Sequence, residues 1–373
     1  MAQTINIPRE STMQEIAKAL NLIAVSQASA SQEITSWAVI QQIVKQGMGQ
    51  AVFPVGTQLK CSHSDYGEIV WDVAAHDYDK DPKGRNSHSM TLYTHNTIGS
   101  TQFDAAEALY CCDEGLSAGT YNFTIPESYE GAGTYQFTLA NDLPEGGVIC
   151  LTWSSGGALI TTASVQTYTS LKDTEKIEEA NVSAGSDGIS LGMADGSETC
   201  LNDIQRAHYS CSNWKESNIR QYLNSRGEAG NIFTPQNKFD RPSNTLLTKA
   251  GFMSGFSEDF INAVGECEHT TVNNLNSKET YKTADRFYLP SVTEIFGANE
   301  AGTAEGSQFG YYVNSTDTEK IKYDGSGISP SGIWLRTPYT GSAASARIID
   351  AKGTMAVYGT RFTARLAVAC VIY

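Results

Sequence analysis

The stretches G-I-W-L-R-T-P, Gly332 to Pro338, and L-A-V-A-C-V-I-Y, Leu366 to Tyr373, close the chain and decide how the rest is read. Both are apolar and rich in β-formers, so both are expected as buried strands. Between them runs Y-T-G-S-A-A-S-A-R-I-I-D-A-K-G-T-M-A-V-Y-G-T-R-F-T-A-R, small, mixed and without a clean period. Glycines at 341, 353 and 359 mark turns. Two rigid strands therefore frame a middle that shows varied side chains outward. On pattern alone the same middle also reads as an ordinary surface meander.

The chain has 373 residues, room for two or three domains, and its 40% hydrophobic content suits a globular protein with real cores. A net charge of −15 argues against nucleic acid or an anionic membrane as partner. Thirty-three Gly and 18 Tyr fit either a recognition surface or a turn-rich β protein. The opening M-A-Q-T-I-N-I-P-R-E has no basic start followed by an apolar run, so a signal peptide is not expected. No run of about 18 apolar residues exists, so membrane insertion is not expected. The eight cysteines show no C-x-x-C spacing; only Cys111 and Cys112 adjoin. They read as buried free thiols of a protein made in a reducing cytosol.

The fold class expected is α+β, in three parts. Residues 1–50 are helical. Ser11 caps a first helix with Met13, Ile16, Ala17, Leu20, Ile23 and Ala24 on one face. Ile34, Trp37, Ile40 and Val44 mark a second, ended by Gly47 and Gly49. Two such helices bury little alone, so they pair with each other or with copies in a homo-oligomer. Residues 51–175 form a β-sandwich module. G-T-Y-N-F-T-I (Gly119–Ile125) and G-T-Y-Q-F-T-L (Gly133–Leu139) are a local repeat with the alternation of half-buried strands, and further strands are expected over 148–153 and 158–166. The polar run 170–187 is the linker. In residues 188–373, Asn213 caps a helix carrying Trp214, Ile219, Tyr222 and Leu223. Ser257 caps another, Phe287–Leu289 is a short strand, and Ser291-Val292-Thr293-Glu294 is a capping box.

Chemistry-bearing motifs are missing. There is no H-E-x-x-H or P-loop. Many carboxylates are present, but no motif singles out a glycosidase pair. His63, His76, His88 and His95 lie near Asp72, Asp77, Asp79 and Asp81, yet His76-Asp77-Tyr78-Asp79 matches no metal-site spacing and reads as a solvated loop. The expectation is a protein without catalytic residues, metal or cofactor.

Trp334, Leu335, Arg336 and Pro338 match a W-L-R-S-P-like opening, and Ala369, Cys370, Val371 and Ile372 match the end of a G-V-A-P-A-C-V-I-like close. Thr337 stands for Ser, Val368 for Pro and Arg365 for Gly. On these motifs the stretch resembles the C-terminal variable region of phage and bacterial proteins diversified by retroelements. Asn213–Ser225, Phe239–Ser243, Gly251–Phe252 and Asp285–Ser291 resemble the body that precedes it. In that family adenines of Asn codons are mutated, which excludes Glu, Gln, Lys, Met and Trp; from Tyr339 to Tyr373 only Lys352 and Met355 are of those types.

The resemblance implies a C-type-lectin-like domain over 188–373, the fold class of formylglycine-generating enzymes, used here without catalysis. It implies a phage or prophage tail protein that binds a host cell-surface or other macromolecular ligand, located in the virion or in the bacterial cytoplasm before lysis. Fibre tips of this kind imply a trimer. Trp334, Leu335, Pro338, Ile349 and Val371 would hold the frame. Tyr339, Ser342, Ala344, Ser345, Ile348, Asp350, Val357, Tyr358, Arg361 and Phe362 would present the binding face, with Arg347 in either role. Two alternatives stand beside this: a structural virion component with no ligand of its own, and an enzyme related to the formylglycine generators. The latter need a reactive cysteine pair or copper-binding thiols, whereas Cys200, Cys211, Cys267 and Cys370 are dispersed.

Overall fold

A computed structural model describes residues 36–104, 110–112, 117–125, 133–145, 147–154, 164–168, 186–187, 212–234, 243, 245–272, 280–300, 302–328, 332–339, 345–360 and 362–373. They form a mixed α+β structure in which strands predominate. The expected first helix, the 170–185 part of the linker and most of the strand expected over 158–166 lie outside the described residues.

Helix α1 (Trp37–Lys45) buries Trp37, Ile40, Ile43 and Val44. Their three- and four-residue steps place them on one stripe. That stripe is covered by the chain itself, because α1 packs on α4 (Glu258–Ala263), with the Trp37 ring edge-on to Phe260 at 4.6 Å. The Asp259 carboxylate accepts from the Trp37 and Ala38 N–H groups at 2.8 and 3.2 Å. A neighbouring helix thus satisfies donors that the start of α1 leaves unpaired. Gly47 (φ +75°) turns the chain, and Gly49 opens a short helical turn, α2 (Gly49–Val52), where a stop was expected.

Two sheets build the body. The first runs β1 (Gln58–His63), β2 (Gly67–His76), β3 (Met90–Thr94), β19 (Ala369–Ile372), β11 (Val264–Gly265), and β14 (Phe287–Tyr288) also pairs with β19. The second runs β17 (Met355–Gly359), β16 (Ser345–Asp350), β15 (Gly332–Pro338), β18 (Thr363–Arg365), β4 (Ser100–Gln102), parallel between β15 and β18. Every residue of β15 and β19 is buried, as the opening motifs required.

This pairing corrects the expected boundaries. A strand buried on both faces and both edges needs neighbours on each side. β3, from the expected middle module, supplies one flank of β19 with Leu92 opposite Cys370, and β4 completes β18. The segment containing β1–β4 therefore belongs to the same body as the C-terminal strands, and one continuous hydrophobic core runs from Trp37 to Tyr373. Its centre is aromatic: Phe256 and Phe287 stack at 5.4 Å, and Phe252 meets both edge-on at 5.0 and 5.2 Å.

The Tyr-Phe repeat forms a hairpin of β6 (Gly119–Ile125) and β7 (Gly133–Leu139), Tyr121 opposite Phe137. A separate sheet joins β5 (Tyr110–Cys112), β8 (Gly147–Ser154), β9 (Ser164–Tyr168) and β10 (Ser186–Asp187), and β12 (Cys267–Val272) pairs with β13 (Thr280–Asp285). Helix α3 (Asn218–Leu223) is capped by Ser217, not Asn213, because a 3-10 turn at Trp214–Glu216 intervenes. Ser257 caps α4, and α5 (Val292–Phe296) carries the full Ser291–Glu294 capping box. Among the described residues no helix is long and apolar enough to cross a membrane.

Candidate functional site

The R-T of the W-L-R-T-P stretch is a buried anchor. Arg336 is 1% exposed and forks onto Glu294, with Nη1 2.5 Å from Oε2 and Nη2 2.8 Å from Oε1. Nη1 also donates to the Leu289 carbonyl and Nη2 to the Glu305 carbonyl, at 3.0 Å each, while the buried Nε has no partner. Glu294 also accepts from the Ser291 N–H at 2.7 Å and from the Tyr78 hydroxyl at 3.0 Å. One carboxylate thus completes a helix cap and neutralises the guanidinium. Burial works against the charge on Arg336, but Glu294 outweighs it and holds the group above its ordinary pKa. Burial pushes the neighbouring Glu305 carboxyl up to about 7, against the pull of Arg336 and the Thr337 hydroxyl that donates to it. Trp334 is wholly buried, its indole N–H donating to the Thr101 carbonyl at 2.9 Å. The Trp334, Leu335, Ile349 and Val371 side chains are all core, in the frame role expected of them.

Above this anchor lie β16 and β17, with β17 at the sheet edge. Residues opposed in an antiparallel pair share a face, and neighbours along a strand do not. Tyr358 opposes Ala346, and its ring lies 5.7 Å from Trp334 and 5.5 Å from Phe362. Val357 opposes Arg347 on the other face, and Ser345 shares that side by alternation. The Arg347 guanidinium sits 4.7 Å over the Tyr339 ring, while its Nε donates to the buried Glu300 carboxylate at 2.7 Å. Arg347 is therefore frame. The candidate residues form two groups, Tyr358 with Phe362 on one face and Tyr339, Ser345 and Val357 around Arg347 on the other.

Two candidates are corrected. Ile348 is 4% exposed, because it shares with the buried Ala346 the face of β16 that packs inward. Asp350 serves the β16–β17 turn, accepting from the Lys352 and Thr354 N–H groups and the Thr354 hydroxyl at 2.8–2.9 Å. Burial would raise its carboxyl, but these donors more than offset it and hold it below the usual range. Ser342, Ala344 and Arg361 lie outside the described residues. The middle is also not free of core, since Ala346, Ile348, Ile349, Thr360 and Ala364 are all buried.

The four histidines of the His76 region have structural partners. His63 and His76 each meet a backbone carbonyl: His63 Nε2 lies 2.9 Å from the Phe252 oxygen, and His76 Nε2 lies 2.8 Å from the Phe53 oxygen. His88 meets Asp77 and His95 meets Asp72. Burial pushes the Cys61 thiol up to about 12 and Cys370 well above its ordinary value, which makes both poor nucleophiles.

A family model described as a domain of unknown function (DUF6273) matches residues 195–372. No curated protein and no solved structure matches the chain. The matched segment holds the anchor and β11–β19, while β1–β4, which complete both sheets, lie outside it.

Proposed function

We propose that the chain is a non-enzymatic binding protein of phage or prophage tail origin, displaying ligand-contacting side chains on a C-type-lectin-like scaffold. One observation carries this reading. Nine large hydrophobic side chains are exposed among the described residues, and four of them, Met355, Val357, Tyr358 and Phe362, crowd into eight positions at the edge strand and the turn after it. Of these, Tyr358 and Phe362 stand together on one face of the edge strand beside a rigid buried anchor, with Met355 and Val357 on the other face, and an exposed aromatic pair of this kind suits a contact made with something else. Homo-oligomerisation through the N-terminal segment 1–50, as a trimer, belongs to the same proposal, with residues 1–35 of it outside the described residues.

The test presents immobilised full-length protein to purified envelope fractions of candidate host bacteria. Saturable binding is expected, weakened about thirtyfold by Tyr358→Ala or Phe362→Ala, as for loss of an anchor worth about 2 kcal/mol. The melting temperature stays unchanged. Binding that survives both substitutions refutes the face. A fall in light-scattering mass in the same variants would make it a subunit contact of a structural virion component. At the gene locus, a reverse transcriptase and a near-repeat encoding 332–373 are expected.

A further inference from the structure

Outside the binding face, three donors of different chemistry converge in the interior. Cys267 and His269 stand two residues apart on β12 and so share a face. Asp79 follows β2, just beyond Asp77, whose φ of +52° turns the chain inward. Asp79, Cys267 and His269 are 7%, 0% and 3% exposed, and their ligand atoms all lie within 4.8 Å of one another. The Cys267 Sγ is 3.0 Å from the His269 Nε2.

We propose that Asp79, Cys267 and His269 hold a structural zinc ion. This inference is independent of the binding reading. Tetrahedral zinc, with bonds of about 2.3 Å to sulfur and about 2.0 Å to nitrogen, separates the two donors by about 3.5 Å. A small rotation of either side chain reaches that from the spacing in place. Thiolate, imidazole and carboxylate together suit zinc, while magnesium and calcium take oxygen donors.

The surroundings orient the Asp79 carboxylate by hydrogen bonds and the His269 ring by packing. The Thr91 hydroxyl donates to Asp79 Oδ2 at 2.6 Å, and the Tyr288 hydroxyl donates to the same oxygen at 3.0 Å. Both bonds fall on Oδ2, which leaves Oδ1 for a cation. The Tyr288 ring also lies 3.8 Å from the His269 imidazole, centroid to centroid, and fixes its plane. The three protein donors leave the fourth tetrahedral position to one enclosed water, and the ion would tie the chain after β2 to β12 and take no part in turnover. The competing arrangement is metal-free, with the Cys267 thiol between His269 and the Asp285 carbonyl, 3.5 Å away.

The full-length protein is produced in zinc-supplemented and in cobalt-supplemented medium and purified without chelator. Elemental analysis should find close to one metal ion per chain. The cobalt protein should show tetrahedral d–d bands and a thiolate-to-cobalt charge-transfer band. X-ray absorption at the zinc edge should give one sulfur, one imidazole and oxygen donors. Cys267→Ser should abolish the charge-transfer band, and His269→Ala should weaken zinc at least about tenfold against a chromophoric chelator. Absence of stoichiometric metal, a cobalt protein without the thiolate band, a zinc shell lacking sulfur or holding several, or a charge-transfer band that persists in Cys267→Ser overturns the proposal. Should either variant fail to fold, the wild-type elemental analysis and X-ray absorption decide it.

Discussion

Replacement of Arg336 by methionine removes a guanidinium that donates four hydrogen bonds in a site closed to water: two to Glu294 and one each to the Leu289 and Glu305 carbonyls. Methionine fills most of the volume and supplies no donor. The Glu294 carboxylate, 1% exposed, would keep only the Ser291 N–H and the Tyr78 hydroxyl. Breaking a buried pair by removing one member costs about 3–5 kcal/mol, because the other charge stays buried without its counter-charge. In a body of this size that lowers the melting temperature by roughly 6–20 °C. The assay is urea unfolding followed by tryptophan fluorescence, for wild type, Arg336→Met, Glu294→Gln and the double variant. The double variant should be less unstable than the two single losses added together, by at least about 1 kcal/mol, since the pair fails only once. A loss below about 1 kcal/mol for Arg336→Met, the range of exposed ion pairs, would mean that water reaches the site and would refute the anchor.

Trp334→Ala should cost about 3–5 kcal/mol, whereas Tyr358→Ala and Phe362→Ala, at sites 39% and 36% exposed, should each cost much less. Side-by-side thermal melts check this, and equal losses in all three would place the aromatic pair in the core. Gly353 has φ +80°, and a Cβ there would stand 1.7 Å from the Asp317 carbonyl oxygen, so Gly353→Ala should lose more than about 1 kcal/mol in the same melts. Burial lowers Lys322 to about 8, with Asp72 opposing the shift, while its ammonium donates to the Thr94 carbonyl at 2.5 Å. Its folded pKa lies below the unfolded value, so the unfolded state binds more protons between about pH 8 and 10.5, and wild type should gain stability relative to Lys322→Met as pH rises through that window. Urea midpoints for both proteins across the window measure it; a constant difference would show that the lysine is not held charged in a dry site.

Elements with a short-range cause were legible in the residues. The Ser291–Glu294 box, the Ser257 cap, the stripe of α1 and the Gly119–Ile125 and Gly133–Leu139 strands all rest on neighbours within a few positions, and all form as read. The signal for Ser217 as cap was present too, a serine four residues before the Gln221 amide that closes on it, but Asn213 masked it by offering an equally good side chain. The binding face was legible only in outline. Tyr358 and Phe362 are exposed, while Ile348 is buried and Asp350 serves a turn. Small mixed residues in a row do not show which side chains of β16 are buried, nor that β17 is an edge.

By itself the sequence determined that Gly332–Pro338 is a buried strand and that Leu366–Tyr373 holds another, which spans Ala369–Ile372, since a run of apolar β-formers has no stable exposed state. Tertiary structure alone decided which strands complete their sheets, and it drew β3 to the flank of β19 and β4 to that of β18 from more than two hundred residues away. It alone set Glu294 against Arg336 and brought Asp79 to Cys267 and His269. The physical reason is that periodicity and capping act over one or two turns of chain. The pairing of edges and the neutralising of buried charge depend instead on which distant groups the closed core leaves next to each other.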